Sequence, residues 1–242
     1  MKRLVFLPLL AAALLLPCVA EAYVASPRWG AFEVKFGPWR PNADDMPGSE
    51  GTYSDFFGNR TMFNTTLELD WQFARIPEIM SFALGGTVGY MREKGRARID
   101  GDVPDADGAE TADSVSINTI PLALLAVFRL DVLPDKTQIP LSPFFKIGLN
   151  WYPWWTRLND STDSSGGTMG WQFSTGIAVQ LDWTDPMSAR TFDNEFGINH
   201  SYIFFEYIYA QVENFGAAGH LHLSPTNIGR RGTFAIGLCL EF

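Results

Sequence analysis

Hydrophobic side chains recur at every second position through most of this chain. The plainest run is Thr61 to Phe73, where Phe63, Thr65, Leu67, Leu69, Trp71 and Phe73 alternate with Asn64, Thr66, Glu68, Asp70 and Gln72. Period two marks a β-strand with one apolar face. The C-terminal segment, Gly232 to Phe242, repeats it: Phe234, Ile236, Leu238, Leu240 and Phe242 oppose Thr233, Ala235, Gly237, Cys239 and Glu241. Six further segments carry the pattern, over Phe32 to Trp39, Met80 to Arg92, Val115 to Leu130, Ser142 to Pro153, Gly170 to Asp182 and His200 to Gln211, which makes eight. Only Ile120 to Phe128 is apolar on both parities; continuing the alternation sets Leu122, Leu124 and Phe128 on the apolar face and Arg129 on the other.

Parity does not say which face meets water. A secreted β-sandwich or a lipocalin-like barrel turns its apolar face inward, whereas a membrane barrel turns it outward. The small, Gly-rich opposite faces favour the membrane reading, as do the connections, since membrane barrels alternate short inner turns with long outer loops. With the amino terminus periplasmic, the outer loops are Arg40 to Arg60, Glu93 to Ser114, Trp154 to Met169 and Val212 to Arg231. The inner connections are Ala74 to Ile79, Asp131 to Leu141 and Trp183 to Asn199, the last with a short helix over Pro186 to Asn194. That orientation gathers Trp39, Tyr90, Trp151, Trp154, Trp155, Trp171, Tyr207 and Tyr209 near the outer rim, and Trp71, Phe73, Trp183 and Phe242 near the inner one, as two aromatic belts. The expected fold is all-β: a monomeric, eight-stranded, antiparallel, up-and-down transmembrane β-barrel in the bacterial outer membrane.

The amino terminus agrees with an envelope location. Lys2 and Arg3, the apolar run Leu4 to Ala20 and the A-x-A site Ala20-Glu21-Ala22 read as a cleaved signal peptide, leaving residues 23–242 as the barrel. A lipoprotein reading through Cys18 is the alternative, against which Pro17 is a poor neighbour. The chain carries 18 Lys and Arg against 27 Asp and Glu, and the acidic balance argues against nucleic-acid binding. Cys239 is then the one mature cysteine, so no internal disulfide is expected, and its place is that of a small lumen-side filler.

Several stretches resemble a little-characterised family of small outer-membrane β-barrel proteins found in myxobacteria-type genomes. They are F-E-V-K-F-G-P-W at Phe32 to Trp39, L-E-L-D-W-Q-F at Leu67 to Phe73, the run from Ile139 to Trp155, and R-T-F-D-N-E-F-G-I-N-H-S-Y-I-F-F-E-Y at Arg190 to Tyr207. The resemblance spans nearly the whole mature chain and implies fold and location, with no activity or ligand attached. The closing strand and its terminal Phe242 also resemble the segment through which such barrels meet the β-barrel assembly machinery.

Eight charged residues take lumen parity: Glu33, Lys35, Glu68, Asp70, Arg129, Lys146, Glu206 and Glu241. An eight-stranded barrel is just wide enough for side chains to fill it, and charges there must pair. Two readings follow, a polar plug or a narrow gated channel. Arg92, Lys94, Arg96 and Arg98 continue the outward parity of Tyr90 and form either a ridge for lipopolysaccharide phosphates or a solvated loop base. Asp100, Asp102, Asp105, Asp107, Glu110 and Asp113 then make an acidic loop whose Asp105-Ala106-Asp107-Gly108 is only a fragment of a calcium loop. His220 and His222 share a strand parity, and His222-Leu223-Ser224 resembles the H-x-S of outer-membrane lipid-A deacylases, but the only later acid, Glu241, falls at the far end of the strand; His200 and Ser201 point to opposite faces. No catalytic residue, cofactor or metal ligand is assigned. The expected function is non-enzymatic, in envelope integrity or surface recognition through the outer loops, with a lipid-modifying enzyme and a narrow porin-like channel as rivals.

Overall fold

In the computed structural model, residues 26–46, 52–98, 110–137, 139–159 and 161–242 are described. The signal segment, Cys18 and Asp100 to Asp107 lie outside these residues, as do the side chains of Arg98, Glu110 and Asp113. The strands are β1 (Gly30–Trp39), β2 (Met62–Ile76), β3 (Met80–Arg98), β4 (Glu110–Thr119), β5 (Leu122–Leu130), β6 (Leu141–Leu158), β7 (Ser161–Gln180), β8 (His200–Gln211) and β9 (Gly232–Glu241). Every pairing is antiparallel, and β9 returns to pair with β1, from Ala31 opposite Glu241 to Phe36 opposite Ile236. The sheet is therefore a closed ring, with the far ends of β3 and β7 reaching past their β2 and β8 neighbours.

Nine strands make eight staves. Both β4 and β5 lie between β3 and β6, with Thr119 opposite Met91 and Leu122 opposite Val88, so the register is unchanged across the gap. The gap is Ile120-Pro121, and Pro121 has no N–H to give the ladder. Its carbonyl still accepts from the Gly89 N–H at 2.8 Å, and the Ile120 N–H donates to the Pro153 carbonyl at 2.9 Å. The start of β1, the end of β9, the β2–β3 turn and the β5–β6 and β7–β8 connections share one end, the terminal mouth; the β1–β2, β3–β4, β6–β7 and β8–β9 connections share the other, the loop mouth.

Two helices accompany the ring. α1 (Thr52–Phe57) belongs to the first loop, and α2 (Pro186–Phe196) lies at the terminal mouth. The latter confirms the helix expected over Pro186 to Asn194. The Asp185 side chain accepts from the Ser188 N–H at its start, Pro186 occupies the first turn, and Gly197, at φ 69°, ends it in the left-handed conformation that glycine adopts without steric cost.

The wall has its apolar face outward. Phe63, Leu69 and Leu149 are 65, 59 and 61 % exposed, while Glu68 and Lys146 between or beside them are 1 and 0 % exposed. Leu124 is exposed and Leu125 fully buried, which resolves the doubly apolar stretch as expected. In water this polarity would leave most large side chains wet and the carboxylates dry; in hydrocarbon it satisfies both. The sandwich and soluble-barrel readings are excluded, and the chain is a membrane-spanning β-barrel. No helix among the described residues is long and apolar enough to cross a membrane.

The structure corrects three expectations. β3 runs on to Arg98, and β6 and β7 continue as a hairpin through the expected outer loop Trp154 to Met169 as far as the Leu158–Ser161 pair. His220 and His222 lie in an irregular segment, not on a strand. Trp39 and Trp154 leave the outer belt: Trp39 shares the inward parity of Glu33 and Lys35, and Trp154 packs on the interior apolar cluster. Tyr90 and Trp151 remain outside near the loop mouth, with Trp171, Phe173 and Tyr209 in mutual ring contact across β7 and β8. Trp71, Phe73 and Trp183 stand exposed near the terminal mouth.

Leu149 sits in the outward row of β6, so Leu149→Arg is expected to destabilise the barrel by about 2–4 kcal/mol, as charges do at the bilayer midplane. Urea unfolding in lipid vesicles measures this, with Asn150→Arg as the inward comparison.

Candidate functional site

All eight lumen-parity charges point inward and are buried. Seven of them form a connected lattice at mid-barrel, and Asp70 stands beside it. Lys146 Nζ, on β6, donates to Glu33 Oε2 of β1 and Glu68 Oε1 of β2, both at 2.6 Å. Lys35 Nζ, on β1, donates to Glu68 Oε2 at 2.6 Å and Glu206 Oε2 of β8 at 3.0 Å. Ser174 donates its hydroxyl to the other oxygen of Glu206. Two ammonium groups thus join carboxylates from strands on opposite sides of the cylinder. Glu33, Glu68 and Asp70 bring oxygens within 4.8 Å of one another, but lysine nitrogens stand among them.

Toward the terminal mouth the lattice passes to Arg129. Its Nη2 lies 3.3 Å from Glu33 Oε1 and 3.5 Å from the Cys239 sulfur, and its guanidinium faces the Tyr202 ring at 5.5 Å. Cys239 fills the lumen side as expected. Glu241 accepts from Gln72 Nε2 at 2.8 Å and from the Tyr202 hydroxyl at 3.1 Å, with Arg28 3.7 Å away. Asp70 Oδ1, both side-chain polar atoms of Asn150 and Arg129 Nε are buried without a protein partner, which is where ordered water is expected. A Cβ on Gly85 would collide with Asp70 Oδ1 and push the carboxylate aside.

The loop half of the lumen is of a different kind. Trp39, Tyr53, Phe57, Met62, Met91, Ile117, Tyr152 and Leu223 form one buried apolar cluster. It is built by folding the first and last loops into the mouth. α1 reaches the inner face of β3 at Gly95, where the Phe56 carbonyl would collide with any Cβ. Trp39 Nε1 donates to the Leu223 carbonyl at 3.0 Å, and Pro41 bridges Pro225. Glu213 latches these loops together, accepting from Asn42 Nδ2 at 2.7 Å, the Ser224 hydroxyl at 3.1 Å and Arg231 Nη2 at 3.0 Å. Burial works against its ionised form, but these hydrogen bonds and the Arg231 charge outweigh it and hold the carboxyl below the usual glutamate range. Between the two halves the described residues leave a cavity of about 20 Å³ beside Lys35, Trp39 and Tyr152, room for a single water.

The other candidates separate. Arg92, Lys94 and Arg96 are exposed on the outer face of β3, as expected. The register adds Arg157, which the sequence reading had placed in a loop: Lys94 opposes Ser116 of β4, and Ser116 opposes Arg157 of β6, so the row crosses three strands on one face. Ser224 has its hydroxyl engaged by Glu213 and by the Val212 N–H, so the H-x-S resemblance gains no partner geometry. His200 and Ser201 are not separated as expected: at the rim both reach Asp182, His200 Nδ1 at Oδ2 and the Ser201 hydroxyl at Oδ1. Burial disfavours the Asp182 carboxylate, but bonds from His200, Gln180 and Ser201 outweigh this and lower its pKa.

No family model matches the chain, and no curated protein matches it. Among solved structures, the outer membrane protein OprG from Pseudomonas aeruginosa is 13 % identical, at a TM-score of 0.49, over 91 % of this chain and 99 % of that one. The attachment invasion locus protein Ail of Yersinia pestis, solved with the heparin analogue sucrose octasulfate, is 9 % identical at 0.47, over 90 % and 100 %. The outer membrane enzyme PagL is 10 % identical at 0.37, over 88 % and 98 %. These likenesses carry nothing about what this chain does.

Two outcomes test the interior. Lys146→Met leaves Glu33 and Glu68 each short of a buried cation and is expected to cost about 3–5 kcal/mol, with part regained in Lys146→Met/Glu68→Gln; urea titration measures both. The Glu213 latch has a folded pKa below its unfolded value of about 4.3, so its contribution is full above that value and lost as pH falls through the folded one. The protection factors of the Val212 and Ser224 amides, taken against intrinsic exchange at each pH, are expected to fall below about pH 4, and Glu213→Gln to flatten that dependence.

Proposed function

We propose that the chain is a bacterial outer-membrane β-barrel with a side-chain-filled lumen, non-enzymatic and monomeric, acting in envelope integrity or surface recognition through its loop mouth. The observation that carries this is the double closure of the lumen: a charged lattice at mid-barrel and, beyond it, an apolar plug made from loops. A conducting pore needs a wet path, and a cavity of about 20 Å³ is none. The loop mouth, facing outward, is then a braced platform, with the β6–β7 hairpin and the end of β3 rising beyond the bilayer.

The outward ridge supports a lipid contact. Arg92, Lys94 and Arg157 stand on one face above Tyr90 and Trp151, and no carboxylate among the described residues lies within ion-pair distance of them. Arg96 and Arg98 extend the same row by parity. At that height the groups to be met are phosphates of an anionic glycolipid such as lipopolysaccharide, to which Arg offers paired donors.

Planar-bilayer recording tests the closed lumen: no steady unitary current is expected, and regular conductance steps would replace this reading with a narrow channel. Mass spectrometry of lipid A and phospholipid incubated with the purified protein tests the enzyme reading, with unchanged masses expected. For the ridge, Arg92→Gln/Arg157→Gln is expected to reduce co-purifying lipopolysaccharide several-fold, and undiminished co-purification would remove that contact.

A further inference from the structure

The braced platform is not solid. Two chambers open in it on either side of Phe56 and Phe57 of α1. One, of about 490 Å³, is walled by Tyr53, Val115, Ile117, Trp154, Leu158 and Leu221. The other, of about 770 Å³, has Asn59, Arg60, Lys94 and Ser114 around it. Both fall within the size range of small-molecule sites. They differ in chemistry: the first is almost wholly apolar, the second polar and cationic.

Two observations mark the pair as a ligand site and not merely loose loop packing. Trp154 Nε1, at the wall of the apolar chamber, is buried and has no hydrogen-bond partner. A buried indole N–H without an acceptor is costly, and the apolar chamber beside it supplies none. Across the phenylalanines, Arg60 is fixed by an Nη1 bond to the Lys94 carbonyl at 2.7 Å, and neither Arg60 nor Lys94 has a carboxylate among the described residues within ion-pair distance. An apolar volume, a single orphan donor in its wall and two cations at its neighbour with no ion-paired carboxylate among the described residues specify complementary features in one molecule.

We propose that the loop mouth binds a single-chain amphipathic anion, its acyl or similar apolar body in the Tyr53–Trp154 chamber and its phosphate or carboxylate head at Arg60 and Lys94. A carbonyl or hydroxyl oxygen on the body accepts from Trp154 Nε1. Phe56 and Phe57 line both chambers, so the chain passes along their rings. The site lies above the plug and is independent of whether the lumen conducts. It shares Lys94 and the Arg157 wall with the outward ridge and is told apart from it by Arg60, which is not part of that row.

The probes are 11-bromoundecanoate and a bromoundecyl-trimethylammonium of the same length, added to the protein in phosphatidylcholine nanodiscs. Bromine quenches tryptophan on contact. The anionic probe is expected to quench with a saturable component that Trp154→Phe removes, above the linear component both probes give by entering the bilayer. Arg60→Gln, an exposed change, is expected to weaken the saturable component about tenfold for the anion, whereas Arg92→Gln, at a residue that lines neither chamber, leaves it unchanged. Val115→Phe, which fills the apolar chamber, is expected to abolish it. Saturable quenching of equal affinity for the cationic probe, its persistence in Trp154→Phe, or its absence altogether would overturn the proposal; so would an unaltered affinity in Arg60→Gln, which does not depend on Val115→Phe folding.

Discussion

A sheet closed on itself in hydrocarbon has to satisfy every backbone polar group within its own ladder, and the pleat then sends alternate side chains to two opposite media. The rest of this structure follows from that one constraint. Polar residues cannot be moved to the surface, so five carboxylates and three cations are gathered in a space the width of a few side chains. What makes the arrangement tolerable is that lysines from β1 and β6 each reach two carboxylates on separate strands. Each ammonium thereby ties distant parts of the wall together, and desolvated charge becomes cross-bracing.

The interior divides by the origin of its atoms. In the terminal half it is filled by the staves themselves, through long charged side chains. In the loop half Trp39, Met62, Met91, Ile117 and Tyr152 of the staves meet α1 and the Leu221–Ser224 segment, folded in from the loops. The two fillings answer different problems: the first is the residue of the alternation, and the second buries apolar loop surface that would otherwise face water. The latch at Glu213 holds the second in place with hydrogen bonds from both the first and last loops.

How much of this was legible in the sequence depended on whether a segment had two different media on its two sides. Within the bilayer it did, so β2 and β9 announced themselves and all eight lumen charges could be assigned by counting. Beyond the bilayer both sides of the wall are wet. There the Ser161–Gly167 part of β7 has no greasy face and read as a loop, as did the end of β3 and the Arg157 end of β6. Trp39 was assigned by residue type to a belt although its own parity, shared with Glu33 and Lys35, pointed inward. The apolar plug and its chambers had no local signal, because α1 and Leu223 meet only through the closed ring. Asp182, joining His200 and Ser201 across a rim, was missed for the same reason.

The connections also order the assembly of the wall. The β6–β7 hairpin closes with Leu158 opposite Ser161, whereas the seam between β1 and β9 brings together the two ends of the described barrel. Loop-closure entropy is small for the first and largest for the second, so we infer that hairpins zip early and the seam comes together last. At that moment Glu33 and Lys35 on β1 meet Lys146 and Glu206, already carried by β6 and β8. Attraction across the unsealed cylinder then pulls its first stave toward the completed ones, and the charges that brace the finished wall also serve as the clasp that shuts it.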